Sequence, residues 1–78
     1  MRTDFKITSP NQLRSFDRAL FDYLKEVYER PVSPSVRVEG RVEGDATVKT
    51  IDCNCPKIAR ELAASIAKAL ARRHAPGF

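Results

Sequence analysis

Hydrophobic and polar residues alternate in two segments of the chain. In residues 1–8, Met1, Thr3, Phe5 and Ile7 fall on one face, and charged or polar side chains fill the positions between them. The segment SVRVEGRVEG repeats the pattern, with valines on one face and arginines and glutamates on the other. A period of two is typical of a half-buried β-strand. The pattern therefore predicts two strands, and the second segment is the clearer of them.

A tight turn is expected at Gly44-Asp45, followed by a third strand that ends near Asp52 and runs antiparallel to the second. We expect Ala46, Val48 and Thr50 to continue the buried valine face, which leaves Thr47 and Lys49 on the open face. Ile51 interrupts this alternation and indicates a bulge or the end of the strand.

Apolar residues recur every three or four positions in two other segments, which predicts two amphipathic helices. Ser9-Pro10-Asn11-Gln12 has the form of a capping box and starts the first helix, while Pro31 and Pro34 end it. Pro56 suits the first position of the second helix, and His74, Pro76 and Gly77 close it. The predicted buried stripes are Leu13, Phe16, Leu20, Leu24 and Val27, flanked by Phe21, Tyr23 and Tyr28, in the first helix and Ile58, Leu62, Ile66 and Leu70 in the second.

The order strand, helix, strand, strand, helix predicts an α+β fold. Both helices need an apolar surface, and the valine face of the sheet is available to them. We therefore expect one small domain over residues 1–78, built as a two-layer sandwich with a three-stranded sheet and both helices on one face. A chain of 78 residues can bury a single core.

Composition agrees with a folded, globular chain, because 42% of the residues are hydrophobic and 31% are charged. No run approaches the length of a membrane span, and the first residues lack the apolar core of a signal peptide, so we expect a cytoplasmic protein. The formal net charge is +4, and its excess lies in the last third of the chain, where Glu61 is the single acid.

Cys53 and Cys55 are separated by one residue, which is too close for a disulfide that staples a small domain. With His74 they provide three potential zinc ligands, but structural zinc usually needs four in compact pairs. Their spacing also differs from that of oxidoreductase pairs. We expect small, buried or half-buried thiols, no metal site and no cofactor.

The element order, a Met1-Arg2 start, a strand that begins SVRV at Ser35 and a closing helix together resemble the DinI-like family of small regulators of the RecA recombinase filament. The resemblance spans the whole chain and implies the same fold. The RecA-binding surface of that family is associated with acidic residues on the final helix. That helix is basic here, so the resemblance transfers no binding residue.

The chain has one histidine and lacks a glycine-rich loop, a nucleophile elbow and paired carboxylates, so we expect it not to be an enzyme. Our first hypothesis is a regulator or inhibitor, of the kind that phages, mobile elements and bacteria use, that binds a larger protein. The second is nucleic-acid binding by the last helix. The candidate residues are Arg37, Glu39, Arg41, Glu43 and Lys49 on the open sheet face, and Lys57, Arg60, Lys68, Arg72 and Arg73 on the basic helix.

Three other interpretations stay open. The bases of the last helix also fit an ordinary solvated helix face, and the alternating charges also fit cross-strand pairs that keep an exposed sheet soluble. An edge strand is also able to pair with a second copy, which gives a homodimer. A designed chain without function is a third option, although uneven loops and segments such as RPVSPS are unlike idealised design.

Overall fold

The computed structural model describes residues 1–31 and 34–72, with the side chain of Arg72 excepted. Three strands and two helices follow each other in the predicted order. Their bounds are β1 Arg2–Ile7, α1 Pro10–Val27, β2 Val36–Glu43, β3 Ala46–Cys53 and α2 Pro56–Arg72. The residues that we expected to close the second helix, from His74 onward, lie outside the described part of the chain. The α+β class is confirmed.

The sheet has the order β1-β3-β2, with β3 antiparallel to both neighbours. Thr3 lies opposite Ile51, and Ile7 lies opposite Thr47, so odd-numbered residues of β1 and β3 share one face. Both helices pack on this face. The core joins the sheet residues Ile7, Ile51 and Cys53 to Phe16, Tyr23 and Val27 of α1 and to Ile58, Ala59, Leu62 and Ile66 of α2.

α1 begins where the sequence predicts, but it ends before the two prolines that we expected to end it. The Ser9 hydroxyl accepts a hydrogen bond from the Gln12 N–H at 3.1 Å, which confirms the N-cap. Gln12 Oε1 in turn accepts from the N–H of Thr8 at 2.7 Å, one residue before the position that a capping box uses. The helix ends at Val27, before Pro31, because a turn closed by the Arg30 N–H and the Val27 C=O follows it.

The predicted face assignment of β3 is wrong by one residue. Gly44 has φ +62°, and Glu43 pairs with Ala46 across the two-residue turn. Residues that flank such a turn share a face, so Ala46 lies with the charged residues of β2 and not with its valines. Ala46, Val48 and Thr50 therefore lie on the side opposite the helices, while Thr47, Lys49 and Ile51 face the helix side. Ile51 pairs in unbroken register and belongs to the core, so it marks no bulge.

The valines of β2 are also less buried than predicted. Val36 packs against the margin of the core, but Val38 and Val42 keep 37% and 78% of their surface exposed. The physical reason is where the helices lie. They pack on each other, and α2 contacts β3 and β1, whereas neither helix packs extensively against β2. The helix-side surface of β2 therefore stays accessible.

Candidate protein-binding surface

The charged sheet face is the side of the sheet opposite the helices. It consists of the exposed side chains Arg2, Asp4 and Lys6 on β1 and Arg37, Glu39, Arg41 and Glu43 on β2. The middle strand contributes smaller residues on this side, and Ala46, Val48 and Thr50 are only 5%, 7% and 2% exposed. We attribute their burial to the long side chains of the two outer strands, whose apolar stems cover the middle strand while their charged ends reach water.

Arg41 has more polar partners than any other charge on this face. Its Nε lies 2.6 Å from Glu43 Oε2, and its guanidinium lies 3.8 Å from Asp4 Oδ2. The hydrogen bond with Glu43, followed by the negative charges of its carboxylate neighbours, raises the pKa of Arg41 above its ordinary value. The Thr50 hydroxyl accepts from Arg41 Nη1 at 3.3 Å and donates to Asp4 Oδ1 at 2.7 Å. One network therefore joins all three strands.

The other predicted residues of this face divide into two groups. Glu39 lies on the charged sheet face, and Arg37 lies beside it, 4.0 Å away between Nη1 and Oε2. Lys49 does not belong to this face. It pairs with Gly40 on the helix side, and its Nζ lies 3.4 Å from the point where a Cβ on Gly40 would stand. Our assignment of Lys49 to the open face is therefore corrected, for the same reason as that of Thr47.

The second predicted surface is the outer side of α2. Lys57, Arg60 and Lys68 are exposed, and their spacings of three and eight residues keep them on one side of the helix. Within the described part of the chain, no carboxylate oxygen lies within 4 Å of these three bases. The side chain of Arg72 and the whole of Arg73 lie outside the described residues.

A third set of polar groups joins the two helices. The Tyr23 hydroxyl of α1 donates to Glu61 Oε1 of α2 at 2.5 Å, and Arg30 Nη1 reaches the same oxygen at 3.4 Å. Burial, followed by the hydrogen bond and charge of Glu61, raises the pKa of Tyr23 to about 12. The hydrogen bond from Tyr23, with help from Arg30, holds the pKa of Glu61 below its ordinary value. This contact fixes the helix pair and leaves the charged sheet face untouched.

A groove of about 590 Å³ runs between the helices and is lined by Arg18, Asp22, Glu26 and Lys68, among others. It is open to water, and its charges balance. Cys53 is buried and Cys55 is half-buried, and both are free thiols. Residues 1–31 and 34–72 contain no cluster of three or more potential metal ligands and no helix that is long and apolar enough to cross a membrane. His74, the third ligand considered above, lies outside these ranges.

Sequence reasoning missed two features of the surface. Thr50 was assigned to the core, yet it is the buried centre of the Asp4–Arg41 network. The second feature is the exposed outer edge of β2. From the sequence we expected only that some edge strand could pair with a second copy, without specifying which one. The signal that was available for it is the spacing of opposite charges on either side of Gly40, which is readable in the sequence.

Comparison with protein-family models, with curated proteins and with solved structures finds no match to this chain. The resemblance to the DinI-like family therefore stays a prediction from the order of the elements.

Proposed function

We propose that this chain is a small non-enzymatic regulator or inhibitor that binds a larger protein through the charged sheet face. The observation that carries the proposal is the position of the helices. Both pack on one side, so the other side presents seven exposed charges of alternating sign on a rigid three-stranded scaffold. Charges fixed in such a pattern select a partner by complementarity and exclude surfaces of the wrong pattern.

The contacts of Arg41 with its neighbours on the charged sheet face support this function. Its guanidinium is held by Glu43, Asp4 and Thr50, so its position is set before a partner arrives. A side chain that is already ordered loses little conformational entropy when it is buried in an interface. Arginine is also a frequent energetic centre of protein interfaces. We therefore expect Arg41 to lie near the middle of the contact.

The test compares two charge variants of equal net charge as baits in the cells from which the protein comes. Arg2→Glu/Lys6→Glu reverses two bases on the β1 side of the charged sheet face, and Arg14→Glu/Lys25→Glu reverses two exposed bases of α1. Each lowers the formal charge from +4 by four units. We expect mass spectrometry to recover a partner with the wild type and the α1 variant, and about tenfold less of it with the sheet variant. Equal recovery by both variants contradicts the proposed surface.

A second candidate function is nucleic-acid binding by α2. It is favoured by one observation, that Lys57, Arg60 and Lys68 share an exposed side of the helix with no carboxylate within 4 Å in the described part of the chain. Arg30 and Arg41, in contrast, are paired with acids. Three phosphate contacts predict an affinity that falls with salt at a logarithmic slope of about −3. A mobility-shift titration at two salt concentrations measures it, with Lys57→Ala/Lys68→Ala as the variant expected to flatten the slope.

A further inference from the structure

The outer edge of β2 carries eight residues without a partner strand among those described, because β3 lies on its other side. The N–H of Asn54 donates to the C=O of Ser35 at 3.2 Å, which sets the alternation of the ladder. Odd-numbered residues of β2 therefore bond to β3, and Val38, Gly40 and Val42 direct their N–H and C=O groups outward. These groups are available for another strand.

The charges of β2 are complementary to those of the same strand in reverse. An antiparallel second copy, related by a two-fold axis at Gly40, places Arg37 opposite Glu43 and Glu39 opposite Arg41. Each pair occurs twice, so four opposite-charge pairs form. They fall at the non-hydrogen-bonded positions, where facing side chains approach most closely. From this match we propose that β2 is a homodimer interface with its two-fold axis at Gly40.

Neighbouring registers are excluded by charge or by length. An axis at Glu39 opposes Glu39 to itself and Arg37 to Arg41, and an axis at Arg41 opposes Arg41 to itself. Facing like charges destabilise strand pairing. An axis at Val38 or Val42 restores opposite charges but leaves three or five, respectively, of the eight residues of β2 without a partner in β2 of the second copy. The axis at Gly40 alone combines pairing of seven of the eight residues with complementary charge.

The other sheet edge provides an internal comparison. Outward-facing backbone groups of β1 belong to Arg2, Asp4 and Lys6. A two-fold axis at the centre of these three residues opposes Arg2 to Lys6 and Asp4 to itself. Self-pairing of β1 is therefore repulsive in its longest register, and the complementarity belongs to β2 alone of the two edges.

Pairing also covers the apolar side of β2. Val38 faces Val42 of the second copy at a hydrogen-bonded position, so the side chains that are 37% and 78% exposed in the single chain meet across the axis. Gly40 adds no side chain at the axis. The Lys49 side chain lies over Gly40, and because it is flexible it can move away when the two strands pair. The product is a continuous six-stranded sheet with all four helices on one side. Because the contact is one strand wide, we expect a dimer that depends on concentration.

This inference does not rest on the proposed function, because it is tested with the pure chain alone. Sedimentation equilibrium of the wild type should show a mass that rises from 8.8 kDa toward twice that value with increasing concentration. Arg37→Glu and Glu43→Arg each convert two attractive pairs into repulsive ones and should each weaken the dimer by about tenfold. Circular dichroism and thermal unfolding confirm that each variant is folded.

The decisive step mixes these two variants. In the heterodimer the glutamate introduced at position 37 faces the arginine introduced at position 43, and the unaltered Arg37 faces the unaltered Glu43. The mixture should therefore dimerise within about threefold of the wild type. A mixture of Arg37→Glu with Glu39→Arg has the same kinds of charge but matches the axis at Val38. At the Gly40 axis two of its four charge pairs stay repulsive, so it should dimerise no better than either variant alone. A wild type that remains at 8.8 kDa up to about 1 mM overturns the interface. The register is overturned if the first mixture does not recover, or if the second mixture recovers to within about threefold of the wild type.

Discussion

The hydroxyl of Thr50 donates a hydrogen bond to Asp4 Oδ1 at 2.7 Å, across the boundary between β3 and β1 on the side of the sheet away from the helices. Thr50 is 2% exposed even though the helices pack on the other side. Charged side chains of the two outer strands therefore cover the middle strand. The charged side chains that we propose to bind a partner therefore also bury the middle strand of the sheet.

Removal of this hydroxyl should measure the strength of the layer. Thr50→Val keeps the shape of the side chain and loses the bonds to Asp4 and Arg41. We expect a loss of about 1 kcal/mol in the free energy of unfolding, the usual net value of a side-chain hydrogen bond. Thr47→Val, on the helix side of the same strand, serves as the control and should change stability by less than about 0.5 kcal/mol. Urea unfolding followed by circular dichroism measures both.

The face assignment of the hairpin gives a second prediction. Val42 is 78% exposed and Val48 is 7% exposed, although the sequence pattern predicts that both lie on the same buried face. Val42→Ala should leave the free energy of unfolding within about 0.5 kcal/mol of the wild type, while Val48→Ala should cost about 1–2 kcal/mol. The midpoints of urea unfolding, recorded at low concentration so that strand pairing between copies does not contribute, give both values. Equal losses of stability in the two variants would show that both valines lie on one buried face, as the sequence pattern predicts.

Local signals predicted much of the fold, because the residues that produce them act within a few positions. Ser9 and Pro10 start a helix wherever they stand before an apolar stripe, and Gly44-Asp45 makes a turn. The face of β3 is different. Its apolar residues occupy even positions up to Val48 and odd positions from Ile51 on, so alternation supports either assignment. The two-residue turn decides between them, because it fixes which residues of β2 and β3 lie opposite each other and therefore share a face.

The candidate surface was predictable in part. The charges of Arg37, Glu39, Arg41 and Glu43 follow from the alternation of β2, and their exposure was expected. The exposure of Val38 and Val42 was not, because it depends on which strands the helices cover. Helix position results from packing between α1, α2 and the two strands they contact, which is a tertiary property that periodicity along the chain does not encode.

Gly44 provides a third prediction. Its φ of +62° lies in the left-handed region, where a side chain costs about 1 kcal/mol. Gly44→Ala should therefore destabilise the hairpin by about that amount, and Gly44→Asn should recover part of the loss, because asparagine tolerates this region better. Gly40→Ala is the matched control. An added Cβ there meets the flexible Lys49 side chain at 3.4 Å, and stability should change by less than about 0.5 kcal/mol.

The contact between Tyr23 and Glu61 gives a fourth prediction. Tyr23→Phe removes the hydroxyl that joins α1 to α2 and should lower the free energy of unfolding by about 1 kcal/mol. For a domain of this size, that corresponds to a melting temperature lower by about 4–8 °C. Tyr28→Phe is the control, because its hydroxyl reaches Pro34 C=O at the longer distance of 3.4 Å. A Tyr28 variant that loses as much stability as the Tyr23 variant would show that the loss is not specific to the contact between the helices.

The same tyrosine should make stability depend on alkaline pH. Burial raises the pKa of Tyr23 to about 12 in the folded chain, whereas an unfolded tyrosine ionises near pH 10. Between about pH 10 and pH 12 the unfolded chain has therefore released a proton that the folded chain still holds, so the free energy of unfolding falls as pH rises through this interval. Tyr23→Phe has no such proton, so a comparison with this variant isolates the contribution of the tyrosine. The stability advantage of the wild type over Tyr23→Phe, measured by urea unfolding under reducing conditions, should therefore narrow steadily from about pH 9 to about pH 12. An advantage that stays constant over that range would mean that Tyr23 ionises equally in both states, and hence that neither burial nor Glu61 holds its proton.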